Sequence, residues 1–381
     1  MKVALELQPC LKEKSGIGIY TYELVKHLQM NRQVELVGNV FHVGKRKMIK
    51  QDLGELKIKT SICPLMPYGL YKRIWDYIPI NYHDLFHQRP ELTHFFNVII
   101  PPRIEGKVIN TIHDLTFYLY PETIGEKHLK FLKDNIRRSA ERPDKIITIS
   151  ESSKRELTEQ LRIDPDKIEI VYPGVDCSIY QSEVDKLTMK SIRGKYHLPN
   201  QYILYMGTLE PRKNIERIVD AFVFFKVNNP IISKEYKLVL VGRRGWLYES
   251  IFEKVKEYGL EDEVIFTGYV DEKDKCILYR MASLFVFPSL YEGFGMPVLE
   301  AMAAGVPVIT SNNSSLPEVS GEAAILVDPY NVESMAIAIE KVLSDERLKQ
   351  YLINEGYKQA QKFSWEESAQ KLYNIYKAVL D

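Results

Sequence analysis

The chain has 381 residues, 45% of them apolar and 27% charged, which is an ordinary globular composition with room for two domains of usual size. Lys plus Arg and Asp plus Glu number 51 each, so charge gives no footing for nucleic-acid binding. The four cysteines, Cys10, Cys63, Cys177 and Cys276, are scattered without paired spacing, against both a disulfide framework and a zinc site, and no apolar run is long enough to cross a bilayer.

Met1-Lys2 leads directly into "VALEL", too short and too acidic for a secretion signal, so a cytosolic protein is expected, with a membrane surface still open to it. Short apolar, β-branched runs follow: "KVALEL", "VELVGNV", "LTHFF", "KVINTI", "KIITIS" and "KIEIVY". Between them the pattern turns helical, as at 17–29, 124–141 and 151–161. Residues 42–90 are less regular, and "YGLYKRIWDYIPI" reads as a helix whose apolar residues cover the first domain. At "YPGVDCSIYQSEV" the periodicity lapses, and a linker is expected near 173–180.

The second half restarts with "YILYMG", "KLVLVG", "EVIFTG", "LFVFPS", "VPVIT" and "AAILVD", with helices expected at 214–228 and 271–282. Continuous apolar strands alternating with helices predict an α/β fold of two doubly wound parallel sheets, about six strands in each. The last segment opens with a capping box, Ser364 followed by Glu367, and carries apolar residues at helical spacing. Asp164-Pro165-Asp166 has the spacing of a metal-binding pair, but Pro165 makes it a turn, and no metal is expected.

Chemistry concentrates after the strand "LFVFPSL". "YEGFGMPVLEAMAAG" (291–305) places Glu292, Gly293, Phe294, Gly295 and Met296 in a strand-to-helix loop; Pro297 suits the first helical turn and Gly305 its end. Such a loop presents free N–H groups and a helix amino end to an anion. Glu300 lies one turn into the helix, where its carboxylate can accept from a ribose diol, which would account for an acid on a buried face. One acid alone reads as a favourable charge at a helix amino end; the whole constellation reads as a ligand site.

In "YMGTLEPRKNIERIVDAF" (205–222), Arg212 and Lys213 stand just before a helix amino end, unfavourable unless an anion lies between them. The pair can neutralise a diphosphate, or form a solvated basic turn paired with Glu210 and Glu216. "SGIGIYTYEL" (15–24) holds Gly16 and Gly18 but lacks the third glycine and the downstream acid of a dinucleotide site, against an NAD enzyme. "VINTIHDLTF" (108–117) puts His113 and Asp114 at the carboxyl end of a strand, the ligand side of such sheets.

Together these residues resemble the retaining, nucleotide-sugar-dependent glycosyltransferases of the GT-B fold, family-4 group. "EGFGMPVLE" matches the group's two-glutamate motif, seven residues lying between Glu292 and Glu300. "GIG-aromatic" and "TLEPRKN" are similar to bacterial mannosyltransferases of surface or lipid-linked glycans. The resemblance implies two Rossmann-like domains facing across a cleft, 1–173 for the acceptor and 178–362 for the donor, with helix 365–381 packed back on the first. It implies that Glu300 holds the donor ribose, that Glu292 and the amides of Phe294, Gly295 and Met296 hold sugar and phosphate, and that Arg212 and Lys213 grip the diphosphate near Gly16. It also implies that His113 contacts the transferred sugar and that "GYV", with Tyr269 and Val270, and "VGRRG" lie near the base. Thr208 departs from the family pattern, standing where many members have arginine, and Arg212 is left as the substitute.

The expected reaction is front-face transfer with retention and no metal, Glu292, His113, Arg212 and Lys213 carrying it. GDP-mannose is the favoured co-substrate, no further cofactor being expected, and a UDP-sugar such as UDP-glucose is the alternative. An epimerase or phosphorylase on this fold and a non-catalytic sugar-nucleotide-binding partner of a glycan assembly complex are the rival readings. The acceptor is a glycan or lipid-linked hydroxyl. Basic and aromatic residues in 42–50 and 70–80 read either as contacts to anionic lipid, a peripheral membrane contact, or as a solvated loop and a packed helix.

Overall fold

The computed structural model describes residues 1–11, 16–44 and 46–381. Ser15 of the "SGIG" segment, Lys45 of the basic stretch 42–50 and the side chains at 46–48 and 50 lie outside the described residues. The chain divides into two compact units, Met1–Gly174 with Ser364–Asp381, and Val175–Phe363.

The first unit is built on a parallel sheet of β1 (Lys2–Glu6), β2 (Glu35–Phe41), β3 (Lys59–Cys63), β4 (Leu92–Phe95), β5 (Lys107–Thr111), β6 (Lys145–Thr148) and β7 (Ile168–Ile170). Their order is β3-β2-β1-β4-β5-β6-β7. Six of these strands fall on the apolar runs. The seventh, β3, "KTSIC", is half-exposed at the sheet edge beside β2, so no continuous apolar run marks it. The helix Tyr68–Ile74 with the following Trp75 buries Tyr71 and Trp75 against Phe41, Tyr82 and Phe86, covering the sheet as its pattern requires. Asp164 accepts from the Asp166 amide at 2.9 Å and caps a turn.

The second unit holds β8 (Gln201–Met206), β9 (Tyr236–Val241), β10 (Val264–Gly268), β11 (Leu284–Phe287), β12 (Val308–Ser311) and β13 (Ala324–Val327), ordered β10-β9-β8-β11-β12-β13. All pairings are parallel, and β8 and β11 are buried on both faces. Tyr202, Phe222, Phe225 and Phe285 are fully buried here, each contributing roughly 1.5–3 kcal/mol of hydrophobic stabilisation.

In each sheet the strand order reverses at one point, between β1 and β4 and between β8 and β11. Loops leaving the carboxyl ends of such neighbours run to opposite faces and open a crevice, where ligands of open α/β sheets bind.

The terminal helix Trp365–Leu380 belongs to the first unit, packed on the helix Gly16–Leu28. Ser364 accepts from the Glu367 amide at 3.1 Å, Ser368 Oγ donates to the Tyr172 carbonyl at 2.6 Å, and the Tyr376 hydroxyl meets His94 Nδ1 at 2.6 Å. Leu372, Ile375, Tyr376 and Val379 form the buried stripe.

Candidate active site

In the second unit the crevice lies between the loops after β8 and β11. The β11 loop enters the helix Met296–Ala303 through Gly295, at φ 109°, where an added Cβ would sit 2.7 Å from Leu316 Cδ2. Only glycine meets both demands. Pro297 takes the first turn, where no N–H is needed. Among the described residues the amides of Gly295 and Met296 donate no hydrogen bond, so this helix end is open to an acceptor. Ser315 Oγ donates to the carbonyls of Glu292 (2.9 Å) and Phe294 (2.7 Å), and Ser314 Oγ accepts from the Glu292 amide at 3.1 Å, fixing the loop.

Glu292 and the two cations meet here. Lys213 Nζ lies 2.5 Å from Glu292 Oε1, Arg212 Nη1 is 3.4 Å from Oε2, and Ser289 Oγ donates to Oε1 at 2.6 Å. Arg212 also donates to the Tyr291 carbonyl and to Glu210 Oε1, both at 2.6 Å. Arg212 pairs with Glu210 as a solvated turn would, but its side chain is only 16% exposed and that of Lys213 only 12%. Glu216 takes no part, bonding instead to Ser250 Oγ at 2.6 Å.

Burial works to raise the Glu292 pKa, but the charges of Lys213 and Arg212 and the hydrogen bonds outweigh it and hold it below the ordinary carboxylate value. Burial, and then Arg212, lower that of Lys213 against the pull of Glu292. The four charges of Glu210, Arg212, Lys213 and Glu292 sum to zero.

Glu300 is buried on the same helix, and here the sequence-based reason for its burial is corrected. No ribose is needed to explain it: Lys275 Nζ lies 2.5 Å from Oε1 and the Tyr279 hydroxyl donates to Oε2 at 3.0 Å, both from the helix Glu272–Met281. The Tyr180 hydroxyl also bonds this carboxylate, so three donors meet its four lone pairs and one is left to accept from a ligand. Burial alone would lower the Lys275 pKa; Glu300 and Glu272 reverse that and raise it.

At the carboxyl ends of β9 and β10 the Arg243 guanidinium lies 4.2 Å over the half-exposed Tyr269 ring, and Val270 is buried behind it. Gly242, just after β9, lets that strand end close on the end of β8, since a Cβ there would lie 1.8 Å from the Gly207 carbonyl oxygen.

Gly16 and His113 belong to the first unit. Gly16 opens its helix, and an added Cβ there meets nothing within 4 Å among the described residues. His113 is buried, its Nε2 donating to the Phe96 carbonyl at 3.2 Å and its ring edge-on to Tyr20. A carbonyl only accepts, so Nε2 carries the proton and Nδ1 is the acceptor. Burial pushes its pKa down to about 4, with Phe96 and Asp114 opposing, and the ring is neutral at pH 7.

Sequence reasoning missed Ser289, Lys275, Tyr279 and Asn214. Asn214 adopts φ 61° and donates to the carbonyls of Pro288 (3.0 Å) and Pro329 (2.7 Å), tying the cation loop to the loops after β11 and β13. An asparagine between a Pro-initiated turn and a helix was the available signal. Lys275 carried none, because its position comes from one helix packing on another.

Two doubly wound sheets in one chain, one of them presenting paired cations and buried carboxylates at its switch point, define the GT-B class of transferase. The chain belongs to the family-4 glycosyltransferases. Family models for "Glycosyl transferases group 1" and "Glycosyltransferase Family 4" match residues 190–359 and 14–179. The O-antigen chain mannosyltransferase B of Escherichia coli is 31% identical, over 99% of this chain and all of that one. The serotype-specific mannosyltransferase WbdA of Escherichia coli is 33% identical over 72% of this chain, which spans 34% of its length. Among solved structures, Anabaena HepE in complex with UDP-glucose is similar with a TM-score of 0.75, at 17% identity, over 99% of this chain and all of that one.

Proposed function

We propose that the protein is a retaining, metal-independent hexosyltransferase moving mannose from GDP-mannose to a hydroxyl of a glycan or lipid-linked acceptor in bacterial surface-polysaccharide synthesis. The full-length likeness to O-antigen chain mannosyltransferase B supports the donor sugar and the pathway class. The observation that carries the chemistry is the cluster of Arg212, Lys213 and Glu292 beside an open helix amino end.

Breaking the sugar–phosphate bond leaves negative charge on the diphosphate. In this reading Arg212, Lys213, the amides of Phe294, Gly295 and Met296 and the helix dipole meet that charge. Because the cluster is neutral as a whole, it works by pre-oriented donors rather than as a positive patch. Glu292 holds the two cations in place and faces the donor sugar, Glu300 takes the ribose, and Tyr269 and Val270 lie by the base. Gly16 admits the phosphate, and His113, neutral with Nδ1 as acceptor, contacts the transferred sugar. The acceptor hydroxyl attacks on the face the diphosphate leaves, and the phosphate oxygen takes its proton, so configuration is retained.

The reaction belongs to the cytoplasm, and contact with anionic lipid is part of the same reading, supported by exposed Leu70, Tyr77 and Ile80. Vesicle sedimentation checks it.

A UDP-sugar donor is the second reading, favoured by the UDP-glucose held on the same fold in HepE. Calorimetric titration with GDP and UDP in EDTA decides: tight GDP binding supports the proposal, a preference for UDP moves the donor, and binding of neither defeats both. Formation of the inverted anomer, read by NMR, would overturn retention. Nucleotide binding without turnover would leave a non-catalytic partner.

A further inference from the structure

Behind His113 the first unit holds a buried polar network centred on His94 of β4. The Tyr376 hydroxyl of the terminal helix meets His94 Nδ1 at 2.6 Å, and the Thr111 hydroxyl at the end of β5 meets Nε2 at 2.8 Å; all three side chains are fully buried. Burial, and then the nearby His113, push the His94 pKa well down, so the ring is neutral at pH 7. A neutral imidazole has one donor and one acceptor nitrogen, so one hydroxyl donates to it and the other accepts from it. The network bears on His113 in two places. The His94 and Phe96 rings pack with centroids 3.9 Å apart, and the Phe96 carbonyl is the group that takes the His113 Nε2 proton. Thr111 stands two residues before His113 at the same strand end. The His113 ring is also edge-on to Tyr20 at 5.1 Å, and Tyr20 is held by its hydroxyl on the Val171 carbonyl (3.0 Å) and by the Trp365 ring at 6.0 Å. Trp365 and Tyr376 both belong to the terminal helix.

We infer that Tyr376 is a positioning residue for the transfer: through His94 it holds the Phe96 carbonyl and the end of β5, so that His113 keeps its proton on Nε2 and presents Nδ1 as an acceptor; this rests on the reading of His113 as a sugar contact above. Tyr376 reaches across 282 residues of sequence to do so. An apolar trio could fill the same space, but only paired polar groups fix angles as well as distances. Tyr376→Phe keeps the aromatic ring, which stands edge-on to His94 at 5.6 Å, and loses the hydroxyl alone. His94 Nδ1 is then buried without that partner, a state costly enough that the ring turns or changes tautomer. Either response loosens Phe96 and Thr111, and with them the tautomer of His113.

The test is Tyr376→Phe in the full chain with two readouts. One is long-range proton–nitrogen NMR of the His113 ring without substrate. The other is the rate of nucleoside diphosphate release from GDP-mannose and from UDP-glucose, with methyl α-mannopyranoside as acceptor. The expected result is a kcat about tenfold lower, as for a slightly misplaced reacting group, with donor KM within about twofold and a new Nδ1–H population at His113. A full rate overturns the proposal, and so does a lowered rate with the His113 spectrum unchanged. Lower stability in urea with the rate intact makes the network structural only and overturns it as well. Should Tyr376→Phe fail to fold by circular dichroism, Thr111→Val, which removes the hydroxyl on the other nitrogen, decides by the same two readouts. A wild type that releases diphosphate from neither donor would defeat the glycosyl-transfer reading and with it any role of Tyr376 in transfer, an outcome distinct from an active wild type matched by the variant.

Discussion

Lys213 Nζ lies 2.5 Å from Glu292 Oε1, and the two side chains keep only 12% and 11% of their surface exposed. A pair so removed from water is sensitive to loss of either member. Lys213→Met leaves Glu292 with Arg212 at 3.4 Å and Ser289 at 2.6 Å, so some compensation remains. Destabilisation of about 3 kcal/mol, the lower end for a broken buried pair, is expected in urea unfolding at pH 7. Turnover should fall about 10²–10³-fold, as for removal of one preorganised donor. Unchanged stability would mean that water replaces the lysine.

Glu292 and Glu300 should separate kinetically. Glu300→Ala removes an acceptor held by Lys275 and Tyr279 and leaves the lysine buried beside Glu272 at 3.9 Å. Nucleotide binding should weaken about 30-fold, the loss of about 2 kcal/mol of charged hydrogen bonding. Glu292→Ala, which leaves Lys213 and Arg212 without their shared carboxylate, should on the proposed reading lower kcat more than affinity. Calorimetry with the preferred nucleoside diphosphate, beside initial rates, distinguishes them; equal affinity in Glu300→Ala would sink the ribose assignment.

These relationships show what a linear reading reaches. Twelve of the thirteen strands carry apolar runs and were legible, the edge strands β7, β10 and β13 among them; β3 was not, because its edge segment "KTSIC" opens with Lys59, Thr60 and Ser61 and buries only Cys63. Glu292, Gly295 and Pro297 were legible because a strand-to-helix loop concentrates its constraints within a few residues. The partners of Glu300 were not. Lys275 lies 25 residues away on another helix, and nothing local distinguishes it from a solvated lysine. Likewise "RK" at 212–213 reads equally as a basic turn until the fold brings Glu292 against it from 79 residues on.

Glu6 should give the protein a stability that falls with pH. Burial raises its pKa from 4.5 to about 8, against the Gln8 hydrogen bond and Lys72. The folded state therefore holds a proton that the unfolded chain has released. The stabilisation is complete below about 4.5 and erodes toward pH 8 by up to about 1.4 kcal/mol per pH unit. His113, lowered from 6.5 to about 4, contributes the opposite slope over that interval, so the Glu6 effect is cleanest above pH 6.5. Chemical denaturation from pH 6.5 to 8 should show the decline in the wild type and its loss in Glu6→Gln. A persisting decline would assign it to another group.

Two glycines separate stability from function. Gly295→Ala forces a side chain onto a backbone at φ 109° with Leu316 Cδ2 at 2.7 Å. Beyond the roughly 1–2 kcal/mol of the left-handed backbone, the clash displaces Leu316 or the helix entry, so the loss should exceed about 2 kcal/mol. Gly16→Ala meets open space at a helix start among the described residues, and alanine favours the helix. Stability should stay within about 0.5 kcal/mol. If Gly16 is present to admit a phosphate, the methyl group should instead raise the donor KM severalfold while the melting temperature holds. Unchanged kinetics together with unchanged stability would remove Gly16 from the site.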